Sequence, residues 1–141
     1  MSHRNDPETI RRLLTTPGRW AVVGLSDNPR RVAPRIAAML RDRLGMAIVP
    51  VNPRGEPALG EPGYRTLADA ARAEGRLDVV DCFVNSTRVG AVVDQAIAVG
   101  AGAVWLQLGV IDEAAAARAA AAGLDVVMDT CPAIEAPRFG L

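Results

Sequence analysis

Trp20-Ala21-Val22-Val23-Gly24-Leu25-Ser26-Asp27-Asn28-Pro29-Arg30-Arg31 and, further on, Ala47-Ile48-Val49-Pro50-Val51-Asn52-Pro53-Arg54 are the stretches that decide the fold. Each opens on a short apolar, β-branched run that reads as a strand. Between them, Pro34 to Leu44 carries Ile36, Met39 and Leu40 at helical spacing, with Pro34 tolerated in a first turn because its missing N–H would be unpaired there anyway. The whole is one βαβ unit. Its first turn holds a glycine, a small hydroxyl residue and two arginines where a helix begins, and its second strand runs into an Asn-Pro turn followed by an arginine. A helix amino end with guanidinium groups beside it suits a phosphorylated nucleotide.

The same alternation extends outward. Asp6-Pro7-Glu8 is a helix start, with Asp6 as cap and Pro7 in the first turn, and Ile10, Leu13 and Leu14 form its apolar stripe against the sheet edge. Thr16-Pro17-Gly18 ends that helix. Asn52 to Gly63 contains three prolines and three glycines and reads as a loop, long enough to be functional or mobile. Thr66 caps a short helix, Leu77 to Val84 is a third strand, and Asn85, Ser86 or Thr87 caps a helix running to Val99 with Gly100 behind it. Ala103 to Leu108 is a fourth strand, Asp112 begins an alanine-rich helix ending at Gly123, and Leu124 to Met128 is a fifth. Near-continuous apolar strands imply helices on both faces. The expected fold is therefore α/β and Rossmann-like, a doubly wound five-stranded parallel sheet of order 3-2-1-4-5 with an extra N-terminal helix. Ligands of such sheets bind at the carboxyl edge where the winding reverses, here expected between strands one and four. The 141 residues are expected to form one domain, residues 1–141, with residues 1–16 as a helical extension packed on it.

Composition narrows the chemistry. Sixteen basic residues balance sixteen acidic ones, so no global field favours nucleic acid or membrane, and no apolar run approaches the roughly 18 residues of a bilayer span. The leading Met1-Ser2-His3-Arg4-Asn5-Asp6-Pro7 lacks the apolar stretch of a signal peptide, and the two cysteines, Cys82 and Cys131, sit in or after apolar strands. A reducing cytoplasmic setting is expected. All sixteen basic residues are arginine, the single histidine is His3, and the single tyrosine is Tyr64. A lysine-dependent phosphate loop and a lysine Schiff base are thereby excluded, and a hydroxyl nucleophile would have only His3, in the leading tail, as its base. The chain is read as a binder rather than an enzyme.

Gly24-x-Ser26 lacks the spacing of the dinucleotide fingerprint, and a strand-to-helix turn that simply needs a glycine is the alternative reading. Two features favour a ligand. The second strand ends in Asn52, Pro53 and Arg54 rather than in the carboxylate that bonds an NAD ribose, which points to a nucleotide with an extra ribose phosphate. Five arginines also cluster between Asp27 and Gly45, of which Arg30, Arg31 and Arg35 lie before or within the first helical turn, while Arg41 and Arg43 read as a solvated face. Phosphate oxygens would meet backbone N–H groups, the Ser26 hydroxyl and one or two arginine forks. Gln107, an amide at the end of a buried strand, calls for a polar partner in a loop or a ligand. Cys131 stands at the same edge, either as an ordinary half-buried cysteine or as a thiol able to meet another, such as that of a pantetheine arm. Cys82 and Trp105 read as core.

With these motifs in place, the stretch from Trp20 to Glu135 resembles the small stand-alone CoA-binding proteins of bacteria, related to the CoA-binding domain of the succinyl-CoA synthetase alpha subunit. The similar segments are Val22-Val23-Gly24-Leu25-Ser26 with Asn28-Pro29, Pro50-Val51-Asn52-Pro53, Asp78 to Phe83, Ala103 to Gly109 and Asp129 to Glu135. The resemblance implies coenzyme A or an acyl-CoA, its diphosphate over Gly24, Leu25 and Ser26 and its extra phosphate near Arg54. Where such proteins often carry an arginine pair after the third strand, this chain has Val84-Asn85-Ser86 and then Arg88. The expected pocket is lined by Gly24, Leu25, Ser26, Asn28, Arg30, Arg31, Asn52, Pro53, Arg54, Val84, Asn85, Arg88, Gln107 and Cys131. Two alternatives remain open at this point: a small NADP-dependent reductase, and an accessory CoA-binding subunit that docks on an acyl-CoA synthetase partner. A homodimer is also compatible with the sequence.

Overall fold

In the computed structural model, which describes residues 2–141, strands and helices alternate throughout. Helix α1 (Pro7–Thr15) starts as its side chains dictate, the Asp6 carboxylate accepting from the Glu8 N–H at 2.9 Å. Strand β1 (Arg19–Val23), helix α2 (Ala33–Asp42) and strand β2 (Ala47–Val51) form the first βαβ unit. Helix α3 (Leu67–Glu74), strand β3 (Val79–Cys82), helix α4 (Val89–Ala98) and strand β4 (Ala103–Leu106) follow. Helix α5 (Glu113–Ala121), strand β5 (Asp125–Val127), the single turn α6 (Pro132–Glu135) and a 3₁₀ turn at Ala136–Phe139 complete the chain.

All strand pairings are parallel, and both faces of the sheet are covered. Trp20 and Val22 of β1 point to one side, among Leu14 of α1 and Ile36 and Leu40 of α2. Ala21 points to the other, among Leu67 of α3, Val93 of α4 and Ala116 of α5. Every one of these side chains is buried, which is why the strands read as continuous apolar runs. On the first face the indoles of Trp20 and Trp105 lie 5.7 Å apart and tilted at 44°, and the Trp105 N–H donates to the Thr130 carbonyl at 2.9 Å.

The strand order is β2-β1-β3-β4-β5, which corrects the expected 3-2-1-4-5. In the expected order β2 would be an interior strand, and Pro50 in its middle forbids that. A strand residue directs its N–H and C=O to the same side; Pro50 C=O faces away from β1 and accepts from the Tyr64 N–H at 3.0 Å, so its missing donor falls on an outer edge. The chain therefore crosses back through α3 and lays β3 on the far side of β1. The winding reverses between β1 and β3, not between strands one and four, and the loops after Val23 and Cys82 become the walls of the crevice.

Several ends also move. The third, fourth and fifth strands are shorter than read, closing at Cys82, Leu106 and Val127. Asn85, Ser86 and Thr87 do not cap α4, whose preceding residue is Arg88 with no side-chain cap. Asn85 Oδ1 instead accepts from the Thr87 N–H at 3.1 Å, and the Ser86 hydroxyl accepts from the Ile111 N–H at 2.9 Å, tying two loops of the carboxyl edge together. Thr66 and Asp112 do cap their helices, through the N–H groups of Asp69 and Ala115.

The amino-terminal segment is fastened to the last strand at two points: Arg12 of α1 pairs with Asp125 at 2.5 Å, and Asn5 clamps Met128 just beyond the strand. Asn5 donates to the Met128 carbonyl at 2.8 Å and accepts from the Met128 N–H at 2.9 Å, copying the pairing of a neighbouring strand. Asn5→Ala is expected to lower the unfolding free energy by about 1–2 kcal/mol, the loss of two partly buried hydrogen bonds. Urea denaturation monitored by tryptophan fluorescence reads this directly; an unchanged midpoint would mean that α1 holds without the clamp.

Candidate functional site

Gly24 ends β1 in a conformation with φ of 95°, and a Cβ there would lie 2.4 Å from the Phe83 carbonyl oxygen. Only glycine allows both the turn and this approach of the two loops. The Phe83 N–H donates to the Val23 carbonyl at 2.9 Å, extending the β1–β3 pairing to the lip of the crevice. The second wall is set by Asn52. Its amide donates to the carbonyls of Leu25 at 3.0 Å and Glu56 at 2.8 Å, and its oxygen accepts from the Glu56 N–H at 2.9 Å. Asp27 accepts from the Leu59 N–H at 2.9 Å, and Arg41 donates to the Leu59 carbonyl at 2.8 Å. Arg41, read as part of a solvated face, therefore holds the long loop onto α2.

Between these walls lies a cleft of about 1250 Å³ at the carboxyl edge of the sheet. It gathers thirteen of the fourteen residues named from the sequence: Gly24, Ser26, Asn28, Arg30, Arg31, Asn52, Pro53, Arg54, Val84, Asn85, Arg88, Gln107 and Cys131. Leu25 is the exception; it alternates inward from its neighbours and is fully buried in the core. Asn52 borders the cleft, yet its polar atoms are all engaged by the chain, so its part is to fix the two loops. Asn28 Oδ1 accepts from the Arg30 N–H at 3.0 Å, so one donor expected to face an anion is used by the chain itself. The first turn of α2 opens without a side-chain cap on Val32.

Charge in the cleft is lopsided although the chain is neutral. Arg30, Arg31, Arg35, Arg54 and Arg88 line it against the single carboxylate of Glu56. Among the described residues only Arg54 of these five pairs with an acid, Glu56 at 3.7 Å, and its side chain is 84% exposed. Such guanidinium groups are free to reorient toward a polyanion.

Sequence reasoning left the partner of Gln107 open between a loop and a ligand. Gln107 meets its polar partner in Asp81, donating to Oδ1 at 2.5 Å, and Asp81 is fully buried with its other carboxylate oxygen unpartnered. Burial pushes the Asp81 carboxyl up to about 7, against the opposing pull of the Gln107 hydrogen bond. The Cys131 thiol is also raised, first by burial and further by the nearby Asp81 charge, which disfavours a reactive thiolate. Cys82 is core, as read, and burial raises its thiol as well. Residues missed by sequence reasoning are largely apolar, among them Val32, Phe83, Leu108 and Ile134. No group of three or more possible metal ligands is assembled among the described residues, and no helix there is long and apolar enough to cross a membrane.

A doubly wound parallel sheet with an arginine-lined cleft over its switch point defines a Rossmann-like domain of the nucleotide-binding type. The chain belongs to the CoA binding domain family, whose model matches residues 18–137. It is 33% identical over 122 residues to YneT of Bacillus subtilis (strain 168), covering 86% of this chain and 87% of that protein. A hypothetical protein from Pyrococcus horikoshii OT3 superposes with a TM-score of 0.86 at 33% identity, covering 98% of this chain and 97% of that one. The acetyl-coenzyme A synthetase 1 of Ca. Korarchaeum cryptofilum, solved with phosphate and ADP, shares the fold at 23% identity with a TM-score of 0.70, over 83% of this chain and 26% of the larger one.

Proposed function

We propose that the cleft binds coenzyme A or an acyl-CoA, and that the chain works by holding this ligand rather than by transforming it. The observation that carries the reading is the cluster of five arginines over the β1–β3 switch point of a chain from a CoA binding domain family. Its phosphates would rest against the Gly24–Ser26 turn and the uncapped start of α2. Arg30 and Arg31 would face the diphosphate, and Arg54, at the end of β2, the ribose phosphate. Asn85 and Arg88 close the other wall. The donor set fits such a ligand, with several positive groups and one opposing carboxylate.

Binding without catalysis is supported by what surrounds the cleft. His3 is tied to Asn5 at 2.9 Å, and Tyr64 donates to Glu74 at 2.5 Å; neither borders the cleft. Among the described residues that line the cleft, the acid–base side chains besides the arginines are Glu56 and Cys131, and burial disfavours the Cys131 thiolate.

Isothermal titration tests the reading. CoA is expected to bind, and Arg30→Ala or Arg54→Ala to weaken it on the order of 10- to 100-fold, the loss of one hydrogen-bonded charge contact. NADPH binding with none by CoA or acetyl-CoA would overturn the ligand assignment.

A further inference from the structure

The large apolar side chains that the fold leaves in solvent are not scattered. Four are exposed among the described residues, Val32 at 50%, Leu108 at 63%, Ile111 at 46% and Ile134 at 41%. Three of them, Val32, Leu108 and Ile134, border the cleft. Single exposed apolar residues are ordinary. Three brought to one mouth from the start of α2, the end of β4 and α6 are not, since each lies in a different segment and none is needed for the core.

Their placement follows the sheet order. At the β2 side the cleft is bounded by the turn that carries Arg54. The lining residues that follow β4 and β5 carry no charge: Gln107, Leu108 and Val110 after the one, Cys131, Ala133 and Ile134 after the other. Guanidinium groups thus come from the segments after β1, β2 and β3, with Val32 among them, and none from those after β4 and β5. A ligand matched to the cleft has a phosphorylated head and a greasy tail.

We propose, building on the CoA reading above, that the cleft takes a CoA thioester with an aliphatic acyl chain in preference to the free thiol, the chain lying along Leu108, Val110 and Ile134. Covering these side chains removes apolar surface from both partners. A fully buried methylene tightens binding about fourfold, and about twofold where one side of the groove stays open.

Titration of the full chain with CoA, acetyl-CoA and hexanoyl-CoA reads this out. Hexanoyl-CoA is expected to bind on the order of tenfold tighter than acetyl-CoA. Leu108→Ser and Ile134→Ser, both at exposed positions, are expected to abolish that gain, bringing the ratio of hexanoyl-CoA to acetyl-CoA affinity to about one. Equal affinity for CoA and hexanoyl-CoA in the unaltered chain overturns the acyl assignment and leaves CoA binding standing. Failure of all three ligands to bind overturns both. Light scattering after size exclusion covers the remaining occupant: a dimer that Leu108→Ser dissociates, without any acyl preference, would assign the rim to a second copy and also overturn the proposal.

Discussion

Asp81→Asn is expected to raise the unfolding free energy at pH 8 by about 2 kcal/mol and to remove most of the pH dependence of stability between pH 5 and 8. The folded chain holds the Asp81 proton up to about pH 7, whereas the unfolded chain releases it near the ordinary carboxylate value of 3.8. Across that window the native state binds the extra proton, so stability is complete below pH 3.8 and falls as pH rises through 7. From pH 5 to 8 the loss from this group is on the order of 3 kcal/mol. Asparagine keeps an oxygen for Gln107 and removes the charge. It leaves a buried N–H₂ without a partner, which costs about 1–3 kcal/mol and limits the net gain. Urea titrations of both proteins across the pH range provide the comparison. Parallel pH profiles would show that Asp81 does not titrate in this window.

The second large effect is expected at Gly24. Gly24→Ala places a methyl group against the Phe83 carbonyl oxygen, where the available separation is 2.4 Å, and imposes a φ of 95° on a residue with a Cβ. The dihedral alone costs roughly 1–2 kcal/mol. Relieving the clash pulls the Phe83 N–H from the Val23 carbonyl and parts β1 from β3 at the crevice. A total loss of about 3 kcal/mol or more is expected, with ligand affinity falling in whatever fraction remains folded. Chemical denaturation checks the first effect and calorimetric titration the second; a change under 1 kcal/mol would mean that the two loops separate easily.

The helix starts were legible because capping is local. Asp6, Thr66 and Asp112 each sit within a turn of the N–H they accept from, and their spacing is visible in the chain. The strand order was not, since pairing joins distant segments. Pro50 nevertheless contained the answer, and recognising that a proline without its N–H belongs on an edge would have excluded an interior β2. The positive side of the cleft was readable because Arg30 and Arg31 follow closely on the glycine turn and Arg54 on the Asn-Pro turn that ends the second strand. Its apolar side was not, because Val32, Leu108 and Ile134 converge only once the sheet is wound. Gln107 was seen to need a polar partner. That the partner is Asp81, rather than a loop or a ligand, depends on the register that sets Asp81 beside Trp105.

The Pro50 edge and the Asn5 clamp share a consequence beyond the architecture they explain. A parallel sheet ends in two rows of unpaired peptide groups, each a template on which a foreign strand can grow into fibrous aggregates. Here one row lacks a donor at Pro50 and is overlaid by the Tyr64 segment, while the other is answered at Met128 by an asparagine side chain. Each margin is interrupted by the chain itself near the carboxyl end, which shortens the ladder that crowding at high concentration could extend.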